Sequence, residues 1–217
     1  MKFRFAAALP LLLLLGACDS TEGRFTVHGI ITDELATAPG SIVYLIGQDG
    51  PVDSVKVKDT EFSFTGPIDK TKILTVTLRF PGRDEWDTRF TAAFVPDSEL
   101  IGIDLDYPVT VTGSPLTDAV NEYQEQVLQL YYQPELDTES LELEGEELDA
   151  YILDTQMPKI VALSRQTYLA NTDNALGLQA FSMLITELDR EELEELFLQG
   201  GEVIQQNRKI KELIESK

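Results

Sequence analysis

From Arg24 to about Thr112 the chain alternates apolar and polar residues with a period of two, and the alternation breaks repeatedly at turn-forming residues. Successive side chains of a strand point to opposite faces, so this pattern predicts short strands with one buried face. They fall at 25–30, 41–46, 51–58, 61–66, 73–80, 89–95, 100–105 and 109–112. Ala38-Pro39-Gly40 marks a turn, and Asp49-Gly50 is a hairpin signal. Seven or eight such strands separated by polar turns favour an antiparallel sandwich over a sheet of alternating strands and helices.

The period changes at Gly113-Ser114-Pro115-Leu116. Ser114 suits a helix N-cap and Pro115 the first helical position, whose N–H would have no partner. Leu116, Val120, Tyr123, Val127, Leu130 and Tyr131 then recur at spacings of three and four, a helix predicted to end before Pro134. Residues 135–150 carry eight carboxylates and read as a solvated loop and helix start. A second helix over Leu148 to Tyr168 is expected to kink or split at Pro158, and Asn171-Thr172-Asp173-Asn174 to stop it and cap a third over 176–188. Asp189-Arg190-Glu191-Glu192 is spaced like a capping box for a fourth, which Gly200-Gly201 ends. A final helix from about 202 to 215 would place Arg208, Lys209 and Lys211 in its C-terminal half, where the macrodipole favours cations. The fold class is α+β by segregated segments: an N-terminal antiparallel β-sandwich over 24–112, then a helical region over 113–217. The first helix follows the last strand so closely that its apolar stripe is expected to pack on the sandwich.

Residues 1–17 lie outside this scheme. Lys2 and Arg4 precede an apolar run, too short to span a bilayer, that closes with Leu15-Gly16-Ala17-Cys18. That is a signal peptide with the ending of a bacterial lipobox, so Cys18 is the expected lipid attachment site and first mature residue. Acylation of one residue by several chains exceeds what stable anchoring needs, which makes the membrane a partner through Cys18. Residues 18–23 form a short polar tether.

Charge and residue counts then exclude function classes. Lys and Arg total 17 against 38 Asp and Glu, net −21, and removal of residues 1–17 leaves 15 against 38, net −23. Such a surface repels phosphate backbones, so no nucleic-acid partner is expected. One Cys and one His cannot supply a Cys/His zinc site, a Cys-x-x-Cys pair, a structural disulfide or an ordinary Ser-His-Asp triad. Neither a phosphate-binding loop nor a nucleophile-elbow motif is present. No catalytic residue, cofactor site or metal site is therefore assigned.

The order of motifs carries a resemblance. The lipobox is followed by Phe25, Val27 and Gly29, by Val43-Tyr44-Leu45, by Asp53-Ser54-Val55, and by Phe62-Ser63-Phe64-Thr65-Gly66. Gly113-Ser114-Pro115-Leu116-Thr117-Asp118 then leads to Asn121, Glu122 and Tyr123. This resembles the N-terminal domain of unknown function in thioredoxin-like disulfide-isomerase lipoproteins of gut-type Gram-negative bacteria. The 171–177 and 188–193 stretches are similar to the helical segment that follows it there. The family normally continues into a thioredoxin domain with a Cys-x-x-Cys pair, and no redox residue of that domain carries over onto residues 1–217. The expected role is a non-enzymatic, lipid-anchored envelope module, on the outer membrane or periplasmic face, for binding or spacing, with a possible protein partner there. One alternative is the non-catalytic part of a thiol-disulfide oxidoreductase whose thioredoxin domain is lost or separately encoded. A second alternative is a small-ligand-binding sandwich.

Several residues invite a functional reading. His28 sits on an alternating strand with no triad spacing near it, which reads as an ordinary strand position. Asp104 and Asp106, with Asp97 and Glu99 upstream, lack the glycine-enabled turn of a calcium loop and read as solvated edge carboxylates. The loop 81–87 holds the sole Trp, Trp86, a weak ligand-stacking candidate for which packing over a hairpin end is the favoured reading.

Overall fold

A computed structural model describes residues 23–34, 40–80, 87–136, 143 and 145–217. Eight strands form two four-stranded sheets. One holds β1 (Arg24–Ile30), β4 (Glu61–Pro67), β7 (Leu100–Asp104) and β8 (Thr110–Thr112) in the order β4-β1-β7-β8. The other holds β2 (Ile42–Gly47), β3 (Gly50–Lys56), β5 (Leu74–Arg79) and β6 (Asp87–Phe94) in the order β3-β2-β5-β6. Their inner faces meet around Val27, Val43, Phe64, Leu78, Phe94 and Ile101, all nearly or wholly buried. The expected α+β arrangement of a sheet region followed by helices is the one observed.

One pairing departs from the antiparallel expectation: β1 and β7 run parallel, Thr26 opposite Leu100 through Ile30 opposite Asp104. Alternation reports which face of a strand is buried, not the direction of its neighbour, so the sequence pattern is silent on this point.

The register of β1 on β4 explains two motifs. Phe25, Val27 and Gly29 lie opposite Gly66, Phe64 and Phe62. Each glycine therefore faces a phenylalanine of the other strand. A Cβ on Gly29 would lie 1.9 Å from the Phe62 ring, and one on Gly66 would lie 2.5 Å from the Phe25 ring. The two aromatic-x-apolar-x-Gly runs are complementary halves of one packed layer, each ring covering the bare backbone of its partner.

The helical region contains α1 (Pro115–Leu136), α2 (Glu146–Tyr151), α3 (Met157–Ala170), α4 (Ala175–Glu187), α5 (Arg190–Gln199), α6 (Glu202–Gln206) and α7 (Arg208–Glu215). Three expectations are corrected. α1 continues through Pro134 instead of ending before it; the proline falls in the last turn, where few backbone bonds remain to lose. Its stripe is buried at Val120 and Tyr123 but exposed at Tyr131, 44%, because the helix runs beyond the elements that cover it. The segment expected to be one final helix is two, divided at Asn207, whose extended backbone and side chain, accepting from the Ile210 N–H, start α7 afresh. Arg208, Lys209 and Lys211 consequently lie in the first half of a helix, not the C-terminal half.

The break at Pro158 takes a specific form. A π-helical turn spans Ile152–Gln156, and the Met157 N–H reaches the Ile152 carbonyl, one residue further back than in an α-helix. Pro158 has no N–H to give, so the widened turn sits where the ladder is interrupted. Asn174 caps α4 by accepting from the Gly177 N–H, and Asp189 caps α5 by accepting from the Glu192 N–H. The reciprocal arm of that capping box is absent from the described contacts of Glu192, whose carboxylate instead pairs with Arg165 at 3.1 Å.

A second core forms around Tyr168, Ala180, Phe181, Leu184, Leu193 and Ile204. Val95, the residue after β6, is wholly buried in this cluster, so the sandwich and the helices are packed together. Four hydrogen bonds hold the seam. The Val95 N–H donates to Thr117 Oγ1 at 2.8 Å, and Ser114 Oγ donates to the Val95 carbonyl at 2.9 Å. Because that bond uses the Ser114 proton, Thr117 Oγ1 is the donor in the 2.5 Å contact between the two hydroxyls, and a closed ring results. Ser114 also accepts from the Thr117 N–H at 3.2 Å, the predicted N-cap bond. Beside it, Asp97 accepts from the Leu116 N–H at 2.8 Å.

Candidate binding cleft

The packing of helices on the sandwich leaves a cleft of about 920 Å³ between the end of the β2–β3 hairpin, the β4–β5 connection and the faces of α4 and α7. Its volume is in the upper part of the range of small-molecule sites. Each wall is fixed locally. The hairpin closes with Gly47 opposite Gly50, whose φ of 121° is available to glycine alone, which realises the Asp49-Gly50 turn signal. The β4–β5 connection is tied to the helices by the Ala175 N–H, which donates to the Lys70 carbonyl at 2.7 Å. Asp69 stiffens that connection by accepting from the Thr71 N–H at 3.0 Å and its hydroxyl at 2.5 Å, and by pairing with Lys72 at 2.8 Å. Partial burial would raise the Asp69 pKa, but the Lys72 and Thr71 bonds and the Lys72 charge outweigh it and hold the carboxyl below its usual range.

The lining combines an aliphatic surface with polar residues, several of which are engaged within the fold. Ile46, Val52, Ile73, Leu74, Leu178 and Leu213 face the cleft. Three of them are solvent-facing: Val52 is 63% exposed, Leu213 48% and Ile73 36%. Among the polar residues, Asp69 and Lys72 neutralise each other, and Ser182 Oγ donates to the Leu178 carbonyl one turn back in its own helix. Asn207 caps α7, and Asp53 accepts from the Ser54 N–H at 2.7 Å. Chemically, this arrangement is suited to enclosing apolar surface.

The residues singled out from sequence lie elsewhere. His28 is exposed on β1, opposite Ser63 and Gly102, as an ordinary strand residue. Asp104 and Asp106 serve the chain itself. Asp104 accepts from the Asp106 N–H, while Asp106 accepts from the Thr32 N–H and hydroxyl and the Asp33 N–H. Burial would raise the Asp106 pKa, and these three donors overcome it and lower it. Asp97 joins the α1 seam. The Glu99 carbonyl accepts from the Thr26 N–H. Cys18 and Trp86 lie outside the described residues, as does much of the acidic run between 135 and 149. The described neighbours of the Trp86 loop, Arg79 and Asp87, are at the opposite end of β5 from the cleft residues Leu74 and Thr75.

Sequence reasoning missed the cleft entirely. A faint signal exists in α7, where Ile210 and Ile214 form the buried stripe and Leu213 is an extra apolar residue beside it. Nothing in the pattern links Leu213 to Val52 or Ile73, which are distant in sequence.

A DUF4369 domain, described as a domain of unknown function, spans residues 25–120. The match covers the eight strands apart from Arg24 and extends into the start of α1, so it includes the Ser114–Thr117 seam. No curated protein matches the chain.

Proposed function

We propose that this protein is a non-catalytic binding module of the bacterial envelope, held on its membrane by lipid on Cys18. The observation that carries the binding role is the cleft, whose walls come from both the sandwich and the helices and whose mouth leaves Val52, Ile73 and Leu213 in solvent. Apolar residues gathered at a concave site rather than scattered singly are the mark of a ligand site. The anchoring role rests on Leu15-Gly16-Ala17-Cys18 after a short apolar run. Among the described residues no helix is long and apolar enough to cross a membrane. With one Cys in 217 residues, the thioether consumes the only thiol, and disulfide exchange has neither an attacking nor a resolving group here.

The test is replacement of Cys18. Cys18→Ala is expected to release the protein from membrane fractions and to abolish labelling by a palmitate analogue. Unchanged association and labelling would refute the anchor. Insulin reduction by the chain above a Cys18→Ser control would refute the non-enzymatic reading.

A further inference from the structure

We infer that the cleft takes the acyl chain of a membrane lipid drawn from the bilayer on which the protein sits. This deepens the binding role proposed above and rests on it. The position of the cleft on the molecule is the first argument. The Gly23 carbonyl accepts from the Ile68 N–H at 2.8 Å, and Arg24 lies opposite Pro67. Pro67, Asp69 and Lys72 line the cleft. The tether thus joins the fold beside the cleft wall, and residues 18–22 extend by at most about 18 Å. A lipid on Cys18 holds this end of the molecule close to the bilayer surface.

Lining chemistry is the second argument. Most of the lining is apolar, and Asp69, Ser182 and the Asn207 side-chain oxygen each engage a partner within the fold. A sugar or nucleotide would give up water over a mostly apolar lining for few partners, whereas a hydrocarbon chain has no hydrogen bonds to lose. Gln179 and Lys209 are also in the lining, where they can meet a polar or anionic head group. Electrostatics do not recruit the lipid, because a mature chain with 15 Lys and Arg against 38 Asp and Glu, net −23, is repelled by an anionic bilayer. Apolar transfer is the driving force that remains.

The experiment uses the mature chain, residues 18–217, with Cys18→Ser, which has neither an acyl group nor the apolar leader and needs no detergent, and titrates it with the fluorescent fatty acid cis-parinaric acid. Saturable one-to-one binding is expected. Leu178→Trp, which fills the cleft, and Leu213→Asp, which puts charge at its mouth, should each weaken it by about tenfold or more, since one buried leucine is worth that much. Leu198→Asp, at an exposed apolar position on α5 outside the cleft lining, should leave it unchanged. Circular dichroism melts of the three variants verify folding. Leu213 is half exposed, so its variant should melt like the parent. In a second arm, the wild-type lipoprotein in vesicles containing a photoactivatable phosphatidylethanolamine should be labelled on α4 and α7. Absence of saturable binding, or binding indifferent to both cleft variants, overturns the site. Binding by Cys18→Ser without vesicle labelling of the wild type overturns the bilayer lipid as occupant and points to the protein's own acyl chain. Because the first arm requires no anchor, failure of the Cys18 reading is distinguishable from failure of the cleft.

Discussion

Ser114→Ala tests whether the seam between sheet and helices is held by its hydroxyl ring. Ser114 is 1% exposed and Thr117 2%, so neither can exchange a lost partner for bulk water. Removing the Ser114 hydroxyl leaves the Val95 carbonyl bonded to the Asp97 N–H at 2.9 Å, so that acceptor survives. It orphans two donors, the Thr117 N–H and the Thr117 hydroxyl. A buried unsatisfied donor costs about 1–3 kcal/mol, and loss of an N-cap alone costs about 1 kcal/mol, so a destabilisation of about 3 kcal/mol is expected. For a chain of this size that lowers Tm by roughly 6–12 °C. Thr117→Val orphans the Val95 N–H instead, and the double variant no longer contains the stranded threonine hydroxyl. Its cost should fall short of the sum of the single variants by about 1 kcal/mol or more. Urea denaturation followed by far-ultraviolet and near-ultraviolet circular dichroism measures all three and reports whether both regions unfold together. A single-variant cost below about 0.5 kcal/mol, or strict additivity, would refute the closed ring.

Two further outcomes follow from buried groups. Gly29→Ala, which drives a Cβ into the Phe62 ring, should destabilise the sandwich by about 1–3 kcal/mol, and Phe62→Leu in that background should recover part of the loss in the same denaturation assay; an additive double variant would show that the ring and glycine are independent. Tyr168, whose hydroxyl donates to the Leu196 carbonyl, has its pKa pushed up to about 12 by burial and then by the charge of Asp173, against 10.0 ordinarily. A folded-state pKa above the unfolded one gives stability that is complete below pH 10.0 and disappears as pH rises toward about 12. Tyr168→Phe should therefore be less stable at neutral pH and lose less on going through that window, and an identical alkaline slope in the two proteins would refute the assignment.

Much of this architecture is set by local rules that act within a few residues. Strand faces follow from alternation, which is why Phe25, Val27, Phe62 and Phe64 were legible as core before any pairing was known. Ser114, Asn174 and Asp189 were legible as caps because a short oxygen-bearing side chain satisfies N–H groups only two or three residues away. Pro158 announced a fault in the helix because a missing N–H is a property of the residue itself. What the tertiary structure alone decided involves partners far apart in the chain. The parallel alignment of β1 with β7 depends on where the chain crosses between sheets, which no period encodes. The break at Asn207 has no local marker, because Asn207 sits in the polar run Gln205-Gln206-Asn207-Arg208-Lys209 with no Pro or Gly beside it. The cleft is the extreme case: Val52, Ile73, Leu178 and Leu213 look like unremarkable apolar residues in three separate elements and one connection. They become a site only because the Val95 seam and the Ala175–Lys70 bond bring the helices onto one end of the sandwich. Side-chain direction and capping are local and therefore written in sequence, whereas a concave surface exists only between elements and waits for their packing.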